Sequence, residues 1–569
     1  MPHIWEASYP EGINWTDKLD ARPIQSILDE GLARWPEKVL CEFMDKTFTY
    51  DQIDEMVNRA AKGLKALGVG PDVHVGLFLP NTPHYVVMYF AILRAGGRIV
   101  NYSPMYAPRE IQHQIEDSET DIMVTLDLAA LYPQVAAQLD TTRLKKLIVC
   151  SMPEILPFPK SLLFPLARKK DIAKVPKDDR HISFKDLLKN DGIYEQHVVA
   201  DPSEEVAVLQ YTGGTTGVPK GAMLTHGNIC AAADMAGNWT RTLLNEGQET
   251  VLAVLPFFHV YAMTVVMIGA VGMGSRIVIH PRFELDDVMR DIGRKKVTAF
   301  SAVPTIFTAM INHPEIGKYD LSSLKVCGSG AAPLPVEVLN KFEQLTGCRI
   351  IEGYGLTETS PTASTNPLSD KRKPGSVGLP LMDTLFEITD LEDPDKVLGV
   401  GEKGEVCITG PQVMKGYWKK PEATAESFIG DFFLTGDTGF LDEDGYMHIV
   451  DRTKDMITSG GFNVYPRIIE EAVFEHPAVE EVTVVGIPDD YRGEAAKAFI
   501  KLKAGQSEFS LEELRAFLED KLGKHELPGA IEFRPELPKT LVGKLSKKEL
   551  VEEEKLKYEA RKKAEAAAS

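Results

Sequence analysis

Hydrophobic and polar positions between residues 50 and 67 follow the period of an amphipathic helix. Thr49 and Gln52, three residues apart, form a predicted capping box that opens this helix. Its apolar face consists of Val57, Ala60, Leu64 and Leu67. Because these positions recur every three or four residues, the pattern predicts a helix with one buried side.

Strand and helix signals alternate beyond this helix. Residues 68–71, rich in glycine and proline, end it, and residues 73–79 are predicted as a strand. A helix from Pro83 to Arg94 and a strand starting at residue 98 follow. This βαβ pattern predicts an α/β fold with a largely parallel sheet and helices on both of its faces.

The alternation continues to about residue 450, where a dense charged run occupies residues 451–455. Beyond this run, residues 482–486 and 498–500 are predicted strands, and residues 511–522 form a predicted amphipathic helix. The last residues mix Lys, Glu and Ala and are predicted to form a frayed helix. The pattern therefore indicates a large N-terminal α/β part followed by a smaller one.

Residues 250–275 contain no charged side chain apart from His259, and this length suffices to cross a bilayer. Pro256 and three glycines interrupt the segment, however, and a single span would split the α/β fold. We therefore expect a buried strand, a loop and a helix here.

Residues 151–180 break the alternation, because prolines interleave with large apolar residues and six basic residues follow. One interpretation is a solvated surface insertion. The other is an interfacial segment, residues 155–180, that contacts anionic lipid as a peripheral membrane anchor. The sequence leaves both open.

Composition narrows the class of protein. The chain has 569 residues, enough for roughly three or four domains or subdomains. A formal net charge of −20 argues against general nucleic-acid binding. The six cysteines are scattered without a CxxC pair, which fits a reducing compartment and no structural zinc. No signal peptide is visible, so we expect a cytoplasmic protein, with contact to the inner face of the membrane as the alternative.

The strongest chemical signal is the loop at residues 211–221, which holds four glycines, three threonines and Lys220 after a predicted buried strand. Glycines allow close approach of the backbone to a ligand, and the N–H groups, hydroxyls and ammonium all donate to anions. The loop therefore predicts a polyphosphate site. It is not a Walker loop, because Pro219 precedes Lys220 and Gly221 follows it.

Four further segments carry weaker signals. Residues 327–333 are small enough to admit a flat ring, and residues 352–359 combine Tyr354, a threonine and Glu358, a candidate Mg²⁺ ligand or a helix N-terminal acid. Residues 434–439 place Asp437 in a predicted turn, where it either binds ribose hydroxyls or forms an ordinary Asx turn. Residues 538–544 end on Lys544, which taken alone is more typical of a surface charge.

Together, in this order and spacing, the five segments resemble the acyl-adenylate-forming superfamily over roughly residues 25–550. The loop at residues 209–217, with Gly213, is most similar to that of long-chain fatty-acid–CoA ligases. The resemblance implies an N-terminal AMP-binding domain at residues 1–450, a hinge at 451–455 and a small mobile C-terminal domain at 456–569.

The resemblance also implies the nucleotide contacts. Four residues would bind the triphosphate, namely Thr212, Thr215, Thr216 and Lys220. Four would frame adenine, namely Gly330, Ala331, Gly353 and Tyr354. Thr357 would contact the α-phosphate, and Asp437 and Arg452 the ribose. Thr215 and Glu358 would hold Mg²⁺.

The remaining implied roles concern catalysis and movement. Lys544 would be the adenylation lysine, His259 would lie beside the substrate carboxylate, and Lys454 would be the hinge position. Residues 459–463, with Gly460 and Gly461, would face the pantetheine of coenzyme A. Residues 260–274 would line an acyl tunnel, in which Met263 stands where some long-chain members carry a gating Trp.

The implied activity is ATP-dependent ligation of a medium- to long-chain fatty acid to coenzyme A through an acyl-AMP intermediate. ATP, Mg²⁺, coenzyme A and the fatty acid are the expected ligands, with no nucleic acid and with a homodimer left open. An aryl-acid–CoA ligase or another adenylate-forming enzyme is one alternative. A non-catalytic, membrane-associated nucleotide-binding protein is the alternative from a different class.

Overall fold

Strands and helices alternate from residue 25 onward in the computed structural model, which describes residues 3–212, 219–459, 462–489, 493–540 and 543–568. The predicted capping box is present: the Thr49 side chain accepts from the Gln52 N–H, and the Gln52 side chain accepts from the Thr49 N–H. The helix that it opens buries Val57, Ala60 and Leu64, as the apolar period predicts.

The first part of the chain, as described up to residue 187, contains seven α-helices and seven strands. Its helices are α1 (Gln25–Arg34), α2 (Tyr50–Ala66), α3 (Pro83–Ala95), α4 (Pro108–Asp117), α5 (Tyr132–Ala136), α6 (Lys160–Ala167) and α7 (Phe184–Leu187). Its strands are β1 (Val39–Phe43), β2 (Lys46–Thr49), β3 (His74–Leu77), β4 (Arg98–Asn101), β5 (Thr120–Leu126), β6 (Lys146–Cys150) and β7 (His181–Ser183). The strand predicted at 73–79 is thus shorter at both ends.

The second part contributes the strands nearest the cavity. They are β8 (Val206–Tyr211), β9 (Gly221–Thr225), β10 (Thr250–Ala253), β11 (Arg276–Ile279), β12 (Ala299–Ala302), β13 (Val326–Ser329), β14 (Arg349–Tyr354), β15 (Ser364–Thr365) and β16 (Leu379–Pro380). The helices are α8 (His226–Thr240), α9 (Gly269–Gly272), α10 (Leu285–Lys295), α11 (Pro304–Ile311) and α12 (Val336–Thr346), with a π-helix at Ala262–Ile268.

These strands form two sheets. One has the order β7-β6-β5-β3-β4-β8-β9 and is parallel except for the β8–β9 pair. The other has the order β16-β15-β14-β13-β12-β10-β11-β1-β2, and its strands from β14 to β1 are parallel. The predicted α/β class with parallel sheets is therefore confirmed.

An antiparallel sheet closes the large domain. It contains β17 (Leu385–Thr389), β18 (Gly404–Thr409), β19 (Phe428–Ile429), β20 (Phe432–Leu441) and β21 (Met447–Arg452), beside the short helix α13 (Pro421–Ala425). Asp437 lies within β20, next to a register shift and to Gly436 at φ +70°. The prediction of a turn at residues 434–439 is therefore wrong, because the segment is a bulged strand.

The small C-terminal domain has its own sheet and core. Its strands are β22 (Ile457–Ser459), β23 (Phe462–Val464), β24 (Val479–Asp489), β25 (Gly493–Leu502) and β26 (Ala530–Phe533). Its helices are α14 (Pro466–Phe474), α15 (Leu511–Leu518) and α16 (Lys548–Ala568). The helix predicted at 511–522 ends earlier, and the C-terminal helix is present as expected. A large and a small α/β domain are thus confirmed.

The uncharged stretch at residues 250–275 folds as expected into a buried strand, a loop and helical turns. It runs through β10, the π-helix and α9, and Val260, Val266 and Val271 are buried in the main core. Within the described part of the chain, no helix combines the length and apolarity that a membrane crossing requires.

Candidate active site

A cavity of about 1520 Å³ lies at the carboxyl ends of the parallel strands and is closed by the small domain. Ligand sites of open α/β sheets occur at this edge. The sequence-predicted residues that line the cavity are Thr212, Lys220, His259, Gly330, Ala331, Gly353, Tyr354, Thr357, Glu358, Asp437, Arg452, Lys454 and Lys544. Four predicted residues, Thr215, Thr216, Gly460 and Gly461, lie outside the described residues, as do Gly213, Gly214, Gly217 and Val218.

The hairpin formed by β8 and β9 brings Thr212 and Lys220 to the cavity. The Thr212 N–H donates to the Lys220 carbonyl at 3.0 Å, so both ends of the glycine-rich loop are held together. The Lys220 ammonium lies 4.7 Å from the centroid of the Tyr417 ring. Its charge therefore points to the wall that also carries Glu358.

Glu358 is buried in the short 3₁₀ turn Thr357–Thr359. Its Oε1 accepts a hydrogen bond of 2.8 Å from the Tyr417 hydroxyl. Burial raises the pKa of the Glu358 carboxyl, and the hydrogen bond from Tyr417 opposes that rise. Tyr417 therefore contacts two predicted site residues, because its ring faces Lys220 and its hydroxyl donates to the Glu358 carboxylate.

Asp437 is held by residues from two other strands. The Tyr354 hydroxyl donates to Asp437 Oδ2 at 2.7 Å, and Arg452 Nε lies 3.4 Å from Asp437 Oδ1. Burial raises the pKa of the Asp437 carboxyl, and the Arg452 guanidinium opposes this. The arrangement presents a carboxylate, a guanidinium and an aromatic ring to one part of the cavity.

Small residues on β13 and after it leave room beside Tyr261. A Cβ on Gly330 would lie 3.3 Å from Tyr261 Cε1, so the tyrosine packs directly on this backbone. Ala331 follows at φ +71°. Gly353, on the neighbouring strand β14, is equally constrained, since a Cβ there would lie 3.2 Å from Thr365 Oγ1. Together these positions form a narrow slot that larger side chains would fill.

His259 precedes the π-helix, and its Nδ1 accepts a hydrogen bond from the Tyr261 N–H at 3.3 Å. This contact assigns the neutral ring's proton to Nε2. Burial and the nearby Lys544 ammonium lower the pKa of His259 to about 3. The imidazole is therefore neutral and available as a hydrogen-bond donor to an anionic substrate group.

Lys544 reaches the cavity from the small domain. Burial, with a contribution from Arg452, lowers the pKa of its ammonium to about 8, while Asp437 acts in the opposite direction. The turn that carries it is tied to the large domain, because Thr305 Oγ1 donates to the Gly543 carbonyl at 3.0 Å. A cationic side chain from one domain thus lies near Asp437 and Arg452 of the other.

The junction between the domains lies at residues 451–455. The Asp451 carboxylate accepts from the Arg467 N–H at 2.8 Å, at the start of α14, and Arg467 Nη1 donates to the Ile449 carbonyl at 2.6 Å. Partial desolvation and the Arg452 charge lower the pKa of Lys454. These contacts hold the small domain in the orientation that inserts Lys544.

An apolar wall continues from His259 toward the far end of the cavity. Its side chains come from α8, the π-helix, α9, β13 and the residues that follow α8 and α9: Trp239, Leu244, Val266, Ala270, Met273 and Val326. Met263 is not on this wall. It is fully buried, and its Sδ accepts from Asn101 Nδ2 at 3.3 Å. The gate position considered for Met263 therefore lies outside the cavity lining.

Other predicted residues lie elsewhere. Ser459, Phe462 and Asn463 belong to the β22–β23 hairpin of the small domain, and they are not among the described residues that line the cavity. No group of three or more described His, Cys, Asp or Glu side chains could hold a metal ion. Sequence reasoning missed Tyr417 and Thr305, whose partners lie 59 and 238 residues away along the chain.

The chain is similar to known proteins in sequence and in structure. The AMP-binding enzyme family matches residues 28–418, and the AMP-binding enzyme C-terminal domain matches residues 468–544. A long-chain-fatty-acid–CoA ligase of Bacillus subtilis is 41% identical over 552 residues, covering 97% of this chain and 98% of that protein. The ligase of the same name from Escherichia coli O157:H7 is 36% identical over 563 residues, with the same coverage.

Two solved structures are similar over nearly the whole chain. The anthranilate CoA ligase AuaEII in complex with anthranoyl-AMP has a TM-score of 0.84 at 26% identity, covering 96% of this chain and 100% of that one. ATP-bound MatB from Rhodopseudomonas palustris has a TM-score of 0.81 at 27% identity, covering 93% and 99%.

The Tyr417–Glu358 contact yields a binding prediction. Tyr417→Phe keeps the ring beside Lys220 but removes the hydroxyl that donates to Glu358, so the pKa of Glu358 rises further. We expect Mg²⁺–ATP affinity, measured by isothermal titration calorimetry, to fall about tenfold near pH 6. The loss should shrink as the pH rises, because the carboxyl then ionises without the donor.

Tyr446→Phe is the matched control, since the Tyr446 hydroxyl donates to the Lys371 carbonyl away from the cavity. Equal losses in both variants, or a loss for Tyr417→Phe that does not depend on pH, would contradict this account of Glu358.

Proposed function

The chain belongs to the AMP-binding enzyme family, and we propose that it ligates a fatty acid to coenzyme A, with ATP cleaved to AMP and pyrophosphate. The observation that carries this proposal is one cavity lined both by the Lys544 ammonium and by an apolar wall. The wall suits an acyl chain, and the polar end suits ATP. The resemblance to long-chain-fatty-acid–CoA ligases over 97% of the chain supports the same substrate class.

Two chemical steps are needed. In the first, a carboxylate oxygen of the acid attacks the α-phosphorus of ATP, and pyrophosphate leaves with the electron pair of the broken P–O bond. In the second, the sulfur of coenzyme A attacks the acyl carbon of acyl-AMP and AMP leaves, while the thiol proton passes to solvent. Because two anions meet in the first step, cations must stabilise its transition state.

The residues divide this work according to their positions. Lys544 and Lys220 offset negative charge on the phosphates, Thr212 and Thr357 donate to them, and the neutral His259 ring donates to the acid. Gly330, Ala331, Gly353 and Tyr354 frame adenine, and Asp437 accepts from ribose hydroxyls, with Arg452 beside it. Thr216 completes the triphosphate contacts.

Mg²⁺ fits the donor set at Glu358. Its carboxylate is buried at the cavity, Oε1 is held by Tyr417, and oxygen ligands are those that magnesium prefers. Glu358 and Thr215 would hold the ion, which when bound neutralises charge on the triphosphate. Tyr417 orients the carboxylate for this purpose.

A hinge at residues 451–455, between domains at 1–450 and 456–569, would alternate the two steps. Lys544 lines the cavity, whereas Ser459 and Phe462 of the β22–β23 hairpin do not. Rotation at Lys454 would withdraw Lys544 and bring this hairpin, including Gly460 and Gly461, to the pantetheine of coenzyme A.

We also propose that α6 contacts anionic lipid. Phe158, Leu162, Leu163 and Leu166 are each more than half exposed, and Leu162 and Leu166 share a helix face. Between residues 158 and 177 stand six basic residues and one acidic residue, although the whole chain carries −20. A local excess of positive charge beside exposed apolar side chains fits an anionic membrane surface, on which a fatty acid would be available.

The activity is tested by acid-dependent AMP release with coenzyme A, over acids from acetate to oleate and including coumarate. We expect the highest kcat/KM for medium- to long-chain fatty acids. A maximum on aromatic acids would favour an aryl-acid–CoA ligase. Absence of AMP release with every acid would favour a nucleotide-binding protein without catalysis.

The pKa of Lys544 predicts the pH dependence of the first step. Since burial lowers this pKa to about 8, the ammonium is lost as the pH rises through 8. ATP–pyrophosphate exchange should therefore fall above pH 8, by up to about tenfold per pH unit. Thioester formation from preformed acyl-AMP should not show this decrease above pH 8.

Lys544→Ala should cripple ATP–pyrophosphate exchange at every pH while thioester formation persists. Equal loss of both steps would refute the two-step arrangement.

Lipid contact is tested by flotation with phosphatidylcholine vesicles, with and without phosphatidylglycerol. Replacing Leu162 and Leu166 by Glu should weaken binding to the anionic vesicles at least about tenfold, because two apolar side chains lose their lipid contact. The charge-matched control replaces the exposed Ile193 and Val198 by Glu, outside the segment. Binding that is unchanged by L162E/L166E, or equally reduced by both pairs, would show that α6 is a solvated insertion.

A further inference from the structure

The start of helix α11 contacts the turn that carries Lys544. Thr305 belongs to the large domain and Gly543 to the small one, and they are 238 residues apart in sequence. Thr305 Oγ1 donates to the Gly543 carbonyl at 3.0 Å. A Cβ built on Gly543 would lie 3.5 Å from Val303 Cγ2 and 3.6 Å from Thr305 Oγ1, so the turn packs directly on this helix end.

The peptide unit that precedes Lys544 is fixed at both of its polar atoms. The Gly543 carbonyl accepts from Thr305, and the Lys544 N–H of the same planar peptide donates to Thr540 Oγ1 at 3.1 Å. Within the small domain, the Gly543 N–H donates to the Thr540 carbonyl at 2.9 Å, and the Thr540 N–H donates to the Lys544 carbonyl at 2.6 Å. The turn is therefore shaped by its own domain and oriented by Thr305.

Gly543 also has a backbone conformation that favours glycine. Its φ of +82° is one that residues with a side chain rarely adopt. Among the described residues from 538 to 546, Gly543 makes the hydrogen bond that joins this turn to the large domain.

We infer that Thr305 is a positioning residue that seats Lys544 for the adenylation step and has no part in the thioester step. The inference rests on the proposed function, because it assigns Lys544 to adenylation. Thr305 acts through the backbone of the lysine turn. If the small domain rotates about residues 451–455, the Thr305–Gly543 hydrogen bond breaks, so it favours only the orientation in which Lys544 is inserted.

Thr305→Val tests this role, since valine keeps the shape of threonine but removes the donor. ATP–pyrophosphate exchange with the preferred acid should fall about three- to tenfold in kcat, the size expected for one hydrogen bond, with little change in the KM for the acid. Thioester formation from preformed acyl-AMP and coenzyme A should stay at the wild-type rate. Thr305→Ser retains the hydroxyl and should restore most of the exchange rate.

Thr346→Val is the matched control, because the Thr346 hydroxyl donates to the Phe342 carbonyl inside the large domain at 2.8 Å. It should leave both steps near wild type. A double-mutant cycle adds a second readout: in a Lys544→Ala background, Thr305→Val should cause no further loss of exchange.

Each contrary outcome overturns the inference. Unchanged exchange in Thr305→Val, equal loss of both steps, failure of Thr305→Ser to restore exchange, or additive losses with Lys544→Ala would each show that Thr305 does not act through Lys544. Failure of the proposed function is distinct, because it would appear as absent acid-dependent exchange in the wild-type enzyme.

Discussion

A lysine ammonium inserted from one domain into the anion-binding wall of another is the constraint on which the rest of this structure depends. Removing an ammonium from water carries a large free-energy penalty unless opposite charge is near. Here burial lowers the pKa of Lys544, and Asp437 compensates in part. The Lys544 ammonium is therefore stabilised further when negative charge enters the cavity, as a triphosphate and a carboxylate would supply.

The cavity wall around Asp437 also brings opposite charges together. Asp437 sits on a bulged strand, and the bulge lets its carboxylate meet Tyr354 from β14 and Arg452 from β21. Burial alone would favour a protonated Asp437, whereas Arg452 and Lys544 both favour the carboxylate. The two domains thus stabilise each other's charges, and the protonation of each side depends on the other being in place.

Local sequence signals predicted the fold well, because its elements are specified by nearby residues. The capping box at Thr49 and the βαβ pattern act within a few positions of the chain. Glycine-rich segments also marked the strand ends that meet at the cavity. Tyr417 and Thr305 were not predicted, because their partners lie 59 and 238 residues away and a lone tyrosine or threonine has no distinctive spacing. The sequence identified Asp437 as a site residue but predicted a turn for its backbone, because a bulge depends on the register of two partner strands.

The placement of the small domain also bears on the two steps of the proposed reaction. With Asp451 holding the start of α14 and Thr305 holding Gly543, the face that carries Lys544 is fixed toward the large domain. Ser459 and Phe462 of the β22–β23 hairpin belong to the same small domain, but they do not line the cavity. A rigid domain cannot present both faces at once, so a thiol that uses the hairpin requires these contacts to break. The Asp451–Arg467 and Thr305–Gly543 hydrogen bonds suit this requirement, because hydrogen bonds can be exchanged for water at little net free energy.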